Sequence, residues 1–514
     1  MFHKAASPQP ESAPLNTTAA ALALFAALAG AGPALAQETP PPVAAPADWG
    51  QALREDARAF HDLIADSHPG PVDPENPGFR ALLDGGLRTA LTRAETAQTY
   101  EDWHFALQAY SASFDDGHLG LSEFAPMGHE WRRRWPGFLT TLRGDRVEVA
   151  FSQGGERPPA GARLISCDGR DADALAAELL GQGAGRWSLR SRRVALSASL
   201  FVDYHDPYVT LPQTCVFETD GRQRTWSLAW APLTDEEVDE AFAAASPRRH
   251  VTGVGLRPID GGYWIEMGSF HPDASSEEGL QLTALHEQIV AQADAIRAAD
   301  VVVFDLRGNN GGSSTWSTEI AKALWGGAWI DDRVKGSEGV DWRASPANLA
   351  AVLEYQRMFA DNPDLADYFD RMVTGLGAAV ERGDALWRQP DFNDGDEAAA
   401  AQAGPPTTAM RARTWVLTDY GCASACLDAV DVLTAAGATV IGQETSADTV
   451  YMEIRRQALP SGRAQAHLPM KVYRGRARGN NETVVPAHAW TGDMSDTAGI
   501  EAWVAQLDAA AAGR

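Results

Sequence analysis

The chain has 514 residues, 45% hydrophobic and 22% charged, enough for several domains with real cores and far from the composition of a disordered polymer. Its 69 Asp and Glu outweigh 43 Lys and Arg, for a net charge of -26. A surface that acidic repels phosphate backbones and excludes nucleic acid as a partner, so the basic run Trp131-Arg132-Arg133-Arg134-Trp135 reads as a solvated face.

Thr17 to Gly32 is an apolar run rich in alanine and leucine, too short and too interrupted to span a bilayer. Ala34-Leu35-Ala36 follows it with the small-x-small pattern of signal cleavage. Residues 1–36 are therefore expected to be an export signal, and residues 37–48, rich in proline and alanine, a linker. No later stretch approaches eighteen uninterrupted apolar residues, so a protein without stable membrane insertion, periplasmic or secreted, is expected. An oxidising compartment lets the four cysteines pair in any of three ways. The simplest is Cys167–Cys215 with Cys422–Cys426. Neither Cys-x-x-Cys nor His-x-x-x-His occurs, so no metal is expected, and no cofactor.

Residues 49–134 read as a helical domain. Leu53, Ala57, Phe60 and Leu63 recur at helical spacing, as do Trp103, Leu107 and Tyr110 within Tyr100–Ala112. Four prolines, at 69, 71, 74 and 77, separate the two stretches, and the domain leads into Asp115-Asp116-Gly117-His118. Residues 135–235 read as β-rich, with Val147, Val149 and Phe151 alternating. There the run Ala160 to Gly169 ahead of a helical Ala172–Leu180 resembles the end of a PDZ module, and a generic strand–turn–helix accounts for it equally. Residues 236–514 alternate strands and helices in the manner of layered α/β. Strands are expected at Tyr263–Met267, Asp300–Asp305, Thr414–Thr418 and Thr439–Ile441, and helices at Leu280–Ala298 and Ala425–Ala436. A helical, acidic insertion over about 345–405 interrupts them as a candidate cap over a site.

Four segments carry candidate chemistry. In Asp305-Leu306-Arg307-Gly308-Asn309-Asn310-Gly311-Gly312 a buried strand ends in a glycine-rich turn ahead of a helix, either an anion-binding turn or simply a tight one. In Gly421-Cys422-Ala423-Ser424-Ala425-Cys426 a strand delivers a serine among small residues to a helix start, either a helix cap or a nucleophile. His118 sits after a turn as a surface residue or a general base. Glu482 lies in the loop Asn480-Asn481-Glu482-Thr483-Val484-Val485-Pro486 ahead of the last helix.

Taken together, and with Ile441-Gly442-Gln443-Glu444-Thr445, these segments resemble the tail-specific and tricorn-core serine protease family from about Trp49 to the C-terminus. The resemblance implies an α/β, ClpP/crotonase-like catalytic core behind a helical domain and a β-rich, PDZ-like middle portion. It implies Ser424 as nucleophile, oxyanion donors at Gly311, Gly312 and Ala425, and peptide or unfolded protein as substrate. Tail-specific members carry a lysine about two dozen residues beyond the serine; Ser446 to Arg456 contains none, and the first lysine after Ser424 is Lys471. Tricorn-like members use a His from the N-terminal turn and a late Glu, positions held here by His118 and Glu482. One departure is Gly117, where that branch has a serine before the His. The expected activity is peptide-bond hydrolysis through an acyl-enzyme on Ser424. Ligand binding without catalysis on the same scaffold, and esterase-like hydrolysis, stay open as alternatives.

Overall fold

The computed structural model describes residues 46, 48–123, 129, 131–246, 250–334, 336–392 and 406–512; the expected export signal and most of the expected linker lie outside them. Asp48 starts helix α1 (Trp49–Ser67) by accepting the Gln51 N–H at 2.9 Å. Helices α2 (Phe79–Arg93) and α3 (Tyr100–Ala112) follow, the latter opened by a reciprocal Thr99–Asp102 capping box. The buried stripe of α1 runs through Leu53, Ala57, Phe60 and Ile64, with Leu63 at its margin. After the His118 turn comes a short strand, β1 (Gly120–Glu123).

Strands β2 (Phe138–Arg143), β3 (Arg146–Ser152), β4 (Arg163–Cys167), β5 (Thr214–Thr219) and β6 (Arg222–Ser227) form an antiparallel sheet in that order. Cys167 and Cys215 face each other across β4 and β5 and form a disulfide. The helix expected at Ala172–Leu180 is α-helical only to Ala176 and continues as a π turn, Ala177–Gly181. Helix α4 (Asp235–Ala245) packs back on this unit through Ala241 and Ala245.

The remaining chain builds two sheets. Strands β7 (Val254–Ile259) and β8 (Gly262–Met267) form a hairpin, followed by α5 (Glu277–Ala291), β9 (Val301–Asp305) and α6 (Thr315–Trp325). The single helix expected over Leu280–Ala298 is broken at Gln292. Next come β10 (Gly339–Arg343), α7 (Pro346–Met358), α8 (Pro363–Arg382), β11 (Leu386–Gln389) and β12 (Arg413–Thr418). Helix α9 (Ala425–Ala435), β13 (Thr439–Gly442), β14 (Tyr451–Ala458), β15 (Ala464–Arg474), β16 (His488–Ala489) and α10 (Thr497–Ala512) close the chain.

The first sheet runs β7-β8-β9-β12-β13-β16, antiparallel at the hairpin and parallel from β8 onward. Every residue of β9 is buried, which is why it reads as an unbroken apolar run. Val302 and Phe304 pack under α5, α6 and α9, while Val301 and Val303 pack against Ile500 and Val504 of α10. In the second sheet β15 pairs with β14 along one edge and with β1 and β10 along the other, and β11 lies outside β10. This sheet joins the N-terminal helices to the C-terminal strands. Within the insertion expected over about 345–405, α7 and α8 build their own core on this sheet, around Trp342, Phe369, Met372 and Trp387, and β11 pairs with β10.

Candidate active site

The glycine-rich turn after β9 is held by buried polar side chains. Arg307, fully buried, bonds Asp305 through Nε and Nη2, with the shortest contact 2.6 Å, and reaches the Met494 carbonyl at 2.7 Å and Thr497 Oγ1 at 3.2 Å. It thereby ties the turn to the start of α10. Asp305 also accepts the Trp264 indole N–H at 3.0 Å. Asn309 donates to the Met267 carbonyl at 2.7 Å and accepts the Gly311 N–H at 2.8 Å. Asp419 accepts both Gly308 N–H, at 2.9 Å, and Gly421 N–H, at 2.8 Å, so one carboxylate locks the glycine turn to the serine turn.

Ser424 stands at the N-terminus of α9 with φ 55° and ψ -128°, a region a non-glycine residue adopts only when its surroundings impose it. Its side chain makes no capping bond to the helix, so the hydroxyl is left to other uses. Three contacts impose the conformation. Asp448 Oδ1 accepts the Ser424 N–H at 3.0 Å. A Cys422–Cys426 disulfide brackets the serine, both cysteines being fully buried. Gly311, at φ +110°, lies so close that a Cβ there would stand 2.7 Å from Ser424 Cβ and 3.1 Å from the Ala425 nitrogen. Gly312, at φ +129°, is equally constrained, since its Cβ would meet the Phe270 carbonyl oxygen at 1.9 Å. Ala425 is the first residue of α9, where the helix supplies no partner for its N–H.

His118 arrives from the other end of the sequence. Its Nδ1 lies 2.9 Å from the Tyr451 carbonyl and 3.3 Å from Thr449 Oγ1. A carbonyl only accepts, so the proton sits on Nδ1 and the lone pair on Nε2. The Thr449 hydroxyl donates to Asp116 Oδ1 at 3.0 Å, with the Tyr451 carbonyl a second acceptor at 3.1 Å, and Asp116 Oδ1 also accepts the His118 N–H at 2.8 Å. Behind it, Asp116 Oδ2 stands 3.5 Å from Nε2 of the fully buried His68. Burial drives the Asp116 carboxyl upward, but the neighbouring His68 and His118 imidazoles, with the backbone N–H of His118, outweigh it and hold the group below the usual carboxylate range. Thr449 adjoins Asp448, so one short segment touches both the serine turn and the histidine. No hydrogen bond joins Ser424 Oγ to the imidazole among the described residues.

No protein-family model matches this sequence, and no curated protein matches it. Solved structures do. Mature CPAF superposes with a TM-score of 0.52 at 12% identity, over 86% of this chain and 93% of that one. Mature CPAF complexed with lactacystin gives 0.53 at 12% identity, over 90% and 99%. This chain shares the fold of mature CPAF. The shared architecture is α/β with a helical portion and a β-rich portion and spans nearly the whole described chain.

Within that fold the sequence-derived residues do not all converge. Ser424, Ala425, Gly311 and Gly312 meet in one place, and His118 is linked to it through residues 448 and 449. Glu482 is exposed, and its carboxylate accepts the Gly479 N–H of its own loop at 2.9 Å instead of a group on His118. Its neighbour Asn481 does reach the histidine turn, donating to the Asp115 carbonyl at 2.7 Å. Lys471 is buried in β15, 3.3 Å from Glu453, in a different part of the second sheet. At Gly117 the Arg186 guanidinium fills the side-chain space, Nη1 standing 2.6 Å from where a Cβ would be, so a serine there requires the guanidinium to shift. Sequence reasoning passed over Asp116, although it lies in the quoted Asp-Gly-His run. It also passed over Asp448 and Thr449, which fall in the stretch searched for a lysine. A separation of 24 between Ser424 and Asp448 was the available signal.

Proposed function

We propose that this chain is an exported serine peptidase of the tail-specific and tricorn-core type, hydrolysing peptide bonds through an acyl-enzyme on Ser424. The observation that carries the reading is the strained Ser424, wedged between Gly311 and Asp448 at a helix start with its hydroxyl uncommitted to the cap. Strain of this kind at a serine is stored where a hydroxyl has to be presented. His118 Nε2 takes the Ser424 proton as Oγ attacks the substrate carbonyl, and returns it to the leaving amine; water then repeats the cycle on the ester. The developing oxyanion is held by the N–H groups of Gly312 and Ala425. Gly311 N–H is engaged by Asn309, so Gly311 serves by its lack of a side chain. The carboxylate role expected of Glu482 is better suited to Asp116.

Export is supported by the disulfides, since all four cysteines are paired, and by the apolar leader. No helix among the described residues is long and apolar enough to cross a membrane. The experiment is covalent labelling with a fluorophosphonate, followed by peptide mapping. Wild type is expected to label at Ser424, and Ser424→Ala and His118→Ala to lose the label. An unlabelled wild type overturns the reading, and the chain is then a binding protein on this fold. Digestion of a peptide library against a panel of simple esters separates peptidase from esterase.

A further inference from the structure

We infer that Asp116, acting through the hydroxyl of Thr449 on the imidazole of His118, is a positioning residue of this site, with His68 holding its carboxylate from behind. The inference rests on the reading of Ser424 and His118 as nucleophile and base. A general base must keep its lone pair aimed and must carry a positive charge while it holds the proton. At His118 the first task falls to the Tyr451 carbonyl and Thr449 Oγ1, which share the Nδ1 proton at 2.9 and 3.3 Å. The second falls to the nearest buried carboxylate. Asp116 is joined to Nδ1 through Thr449 by contacts of 3.3 and 3.0 Å, which puts its charge within about 6 Å of the ring.

Asp116 is itself oriented. Gly70 N–H donates to His68 Nδ1 at 2.9 Å, which leaves the His68 proton on Nε2, facing Asp116 Oδ2. His68 cannot swing away, because it is stacked on Phe79 at 4.7 Å and packed on Tyr451 at 4.6 Å. Other charged groups face this pocket from each side. Asp115 lies on the same turn, and Arg186 comes in over Gly117 from the β-rich unit. Asp448 lies beside Thr449, and Arg476 reaches the Thr449 carbonyl at 3.5 Å from beyond β15. Arg186 donates to the Ala447 carbonyl at 2.9 Å, and Arg476 also bonds Asp428 at 3.0 Å, so Asp116 is the carboxylate whose hydrogen bonds lead to the imidazole.

The test is the pH dependence of Ser424 labelling and of peptide kcat/KM in wild type, Asp116→Asn, Thr449→Val and Thr449→Ser. Asparagine keeps an acceptor for the His118 N–H while removing the charge. An imidazolium that loses a nearby anion is harder to form, so the acidic limb of the profile is expected to move to lower pH by between about half a unit and two units. The plateau rate is expected to fall by roughly 10- to 100-fold. Thr449→Val should lose a similar rate factor, and Thr449→Ser should restore it to within about threefold. A His118→Ala variant that is inert beside Asp116→Asn and Thr449→Val profiles that overlay wild type overturns the inference and leaves the Ser424–His118 reading standing. An unlabelled wild type removes both. Should Asp116→Asn fail to fold, the Val and Ser variants at 449 decide the matter alone.

Discussion

Replacing Gly311 by alanine tests the geometry at its tightest point. The new methyl would stand 2.7 Å from Ser424 Cβ, 2.9 Å from the Ala423 carbonyl oxygen and 3.1 Å from the Ala425 nitrogen. Carbon atoms rest at about 3.5–4.0 Å, so one of the two turns has to retreat by about 1 Å. The backbone adds its own cost, because φ is +110° and an L side chain there is strained by about 1–2 kcal/mol. Gly144, in the β2–β3 hairpin, supplies the control: its φ is +56° and nothing lies within 4 Å of its would-be Cβ. Gly144→Ala therefore carries a comparable backbone term without the collision. Gly144→Ala is expected to lose about 1–2 kcal/mol in urea unfolding, and Gly311→Ala to lose that plus about 1–3 kcal/mol for the collision. Only Gly311→Ala should slow fluorophosphonate labelling of Ser424, by roughly 100-fold, the usual consequence of displacing a reacting group by about 1 Å. If Gly311→Ala labels as fast as Gly144→Ala, the close approach of the two turns is not what presents the serine, and the reasoning fails.

Other expectations concern stability. Arg307→Met leaves the Asp305 carboxylate buried without its cation and frees the start of α10, and should cost about 3–5 kcal/mol in denaturant unfolding; a loss under about 1 kcal/mol would contradict the role given to this pair. The Cys167–Cys215 bridge spans 48 residues and Cys422–Cys426 spans 4, so double alanine variants should lose about 4 and about 2 kcal/mol respectively. The second variant should lose labelling disproportionately, and equal effects on labelling would count against a local role at Ser424. Burial pushes Glu123 up from 4.5 to about 7. The folded state therefore holds this proton more tightly than the unfolded chain. Its stabilising effect is full below pH 4.5 and is lost as pH rises through about 7, by about 2 kcal/mol once partial exposure is discounted. Because the neighbouring His104 is pushed down to about 4 by burial and acts with the opposite sign in nearly the same window, the quantity to measure is the stability difference between wild type and Glu123→Gln, which should change by that amount across the window; a constant difference refutes the assignment.

Much of the first sheet was legible because its signals are local. An all-buried parallel strand writes itself as Val301-Val302-Val303-Phe304, and the strand before Ser424 is found to within a residue. The second sheet was not legible, because β1 and β15 lie hundreds of residues apart and β1 is four residues long. The same distance hid the histidine's partners. Residues 116, 449 and 451 meet only once β14 has paired with β15 and that strand with β1. The surroundings of Glu482 were hard to read for a related reason. Its loop does reach the histidine turn, yet the contact is made by Asn481 while the glutamate turns back to close its own loop at Gly479. Position in the chain located the loop, and hydrogen-bond satisfaction within it chose the side chain.

Under the proposed serine–histidine mechanism, the residue at 448 sets the charge environment beside the serine. Asp448 is buried, with one oxygen on the Ser424 N–H and the other 3.4 Å from both Arg476 and Arg478. Those arginines are shared with Asp428, at 3.0 and 3.2 Å, and Arg478 also pairs with Asp431, so the cations behind the serine are already matched by carboxylates. A lysine serving as base has to be neutral, which requires either a dry apolar pocket or neighbouring cations without anions. Three aspartates make the opposite field, one that would hold an ammonium charged and useless as a base. Under the proposed mechanism the same field suits a transient imidazolium on His118. Asp448 thus does two things through one side chain: it fixes the strained backbone of Ser424, and under the proposed mechanism it contributes to an electrostatic setting that favours a histidine over a lysine as the base.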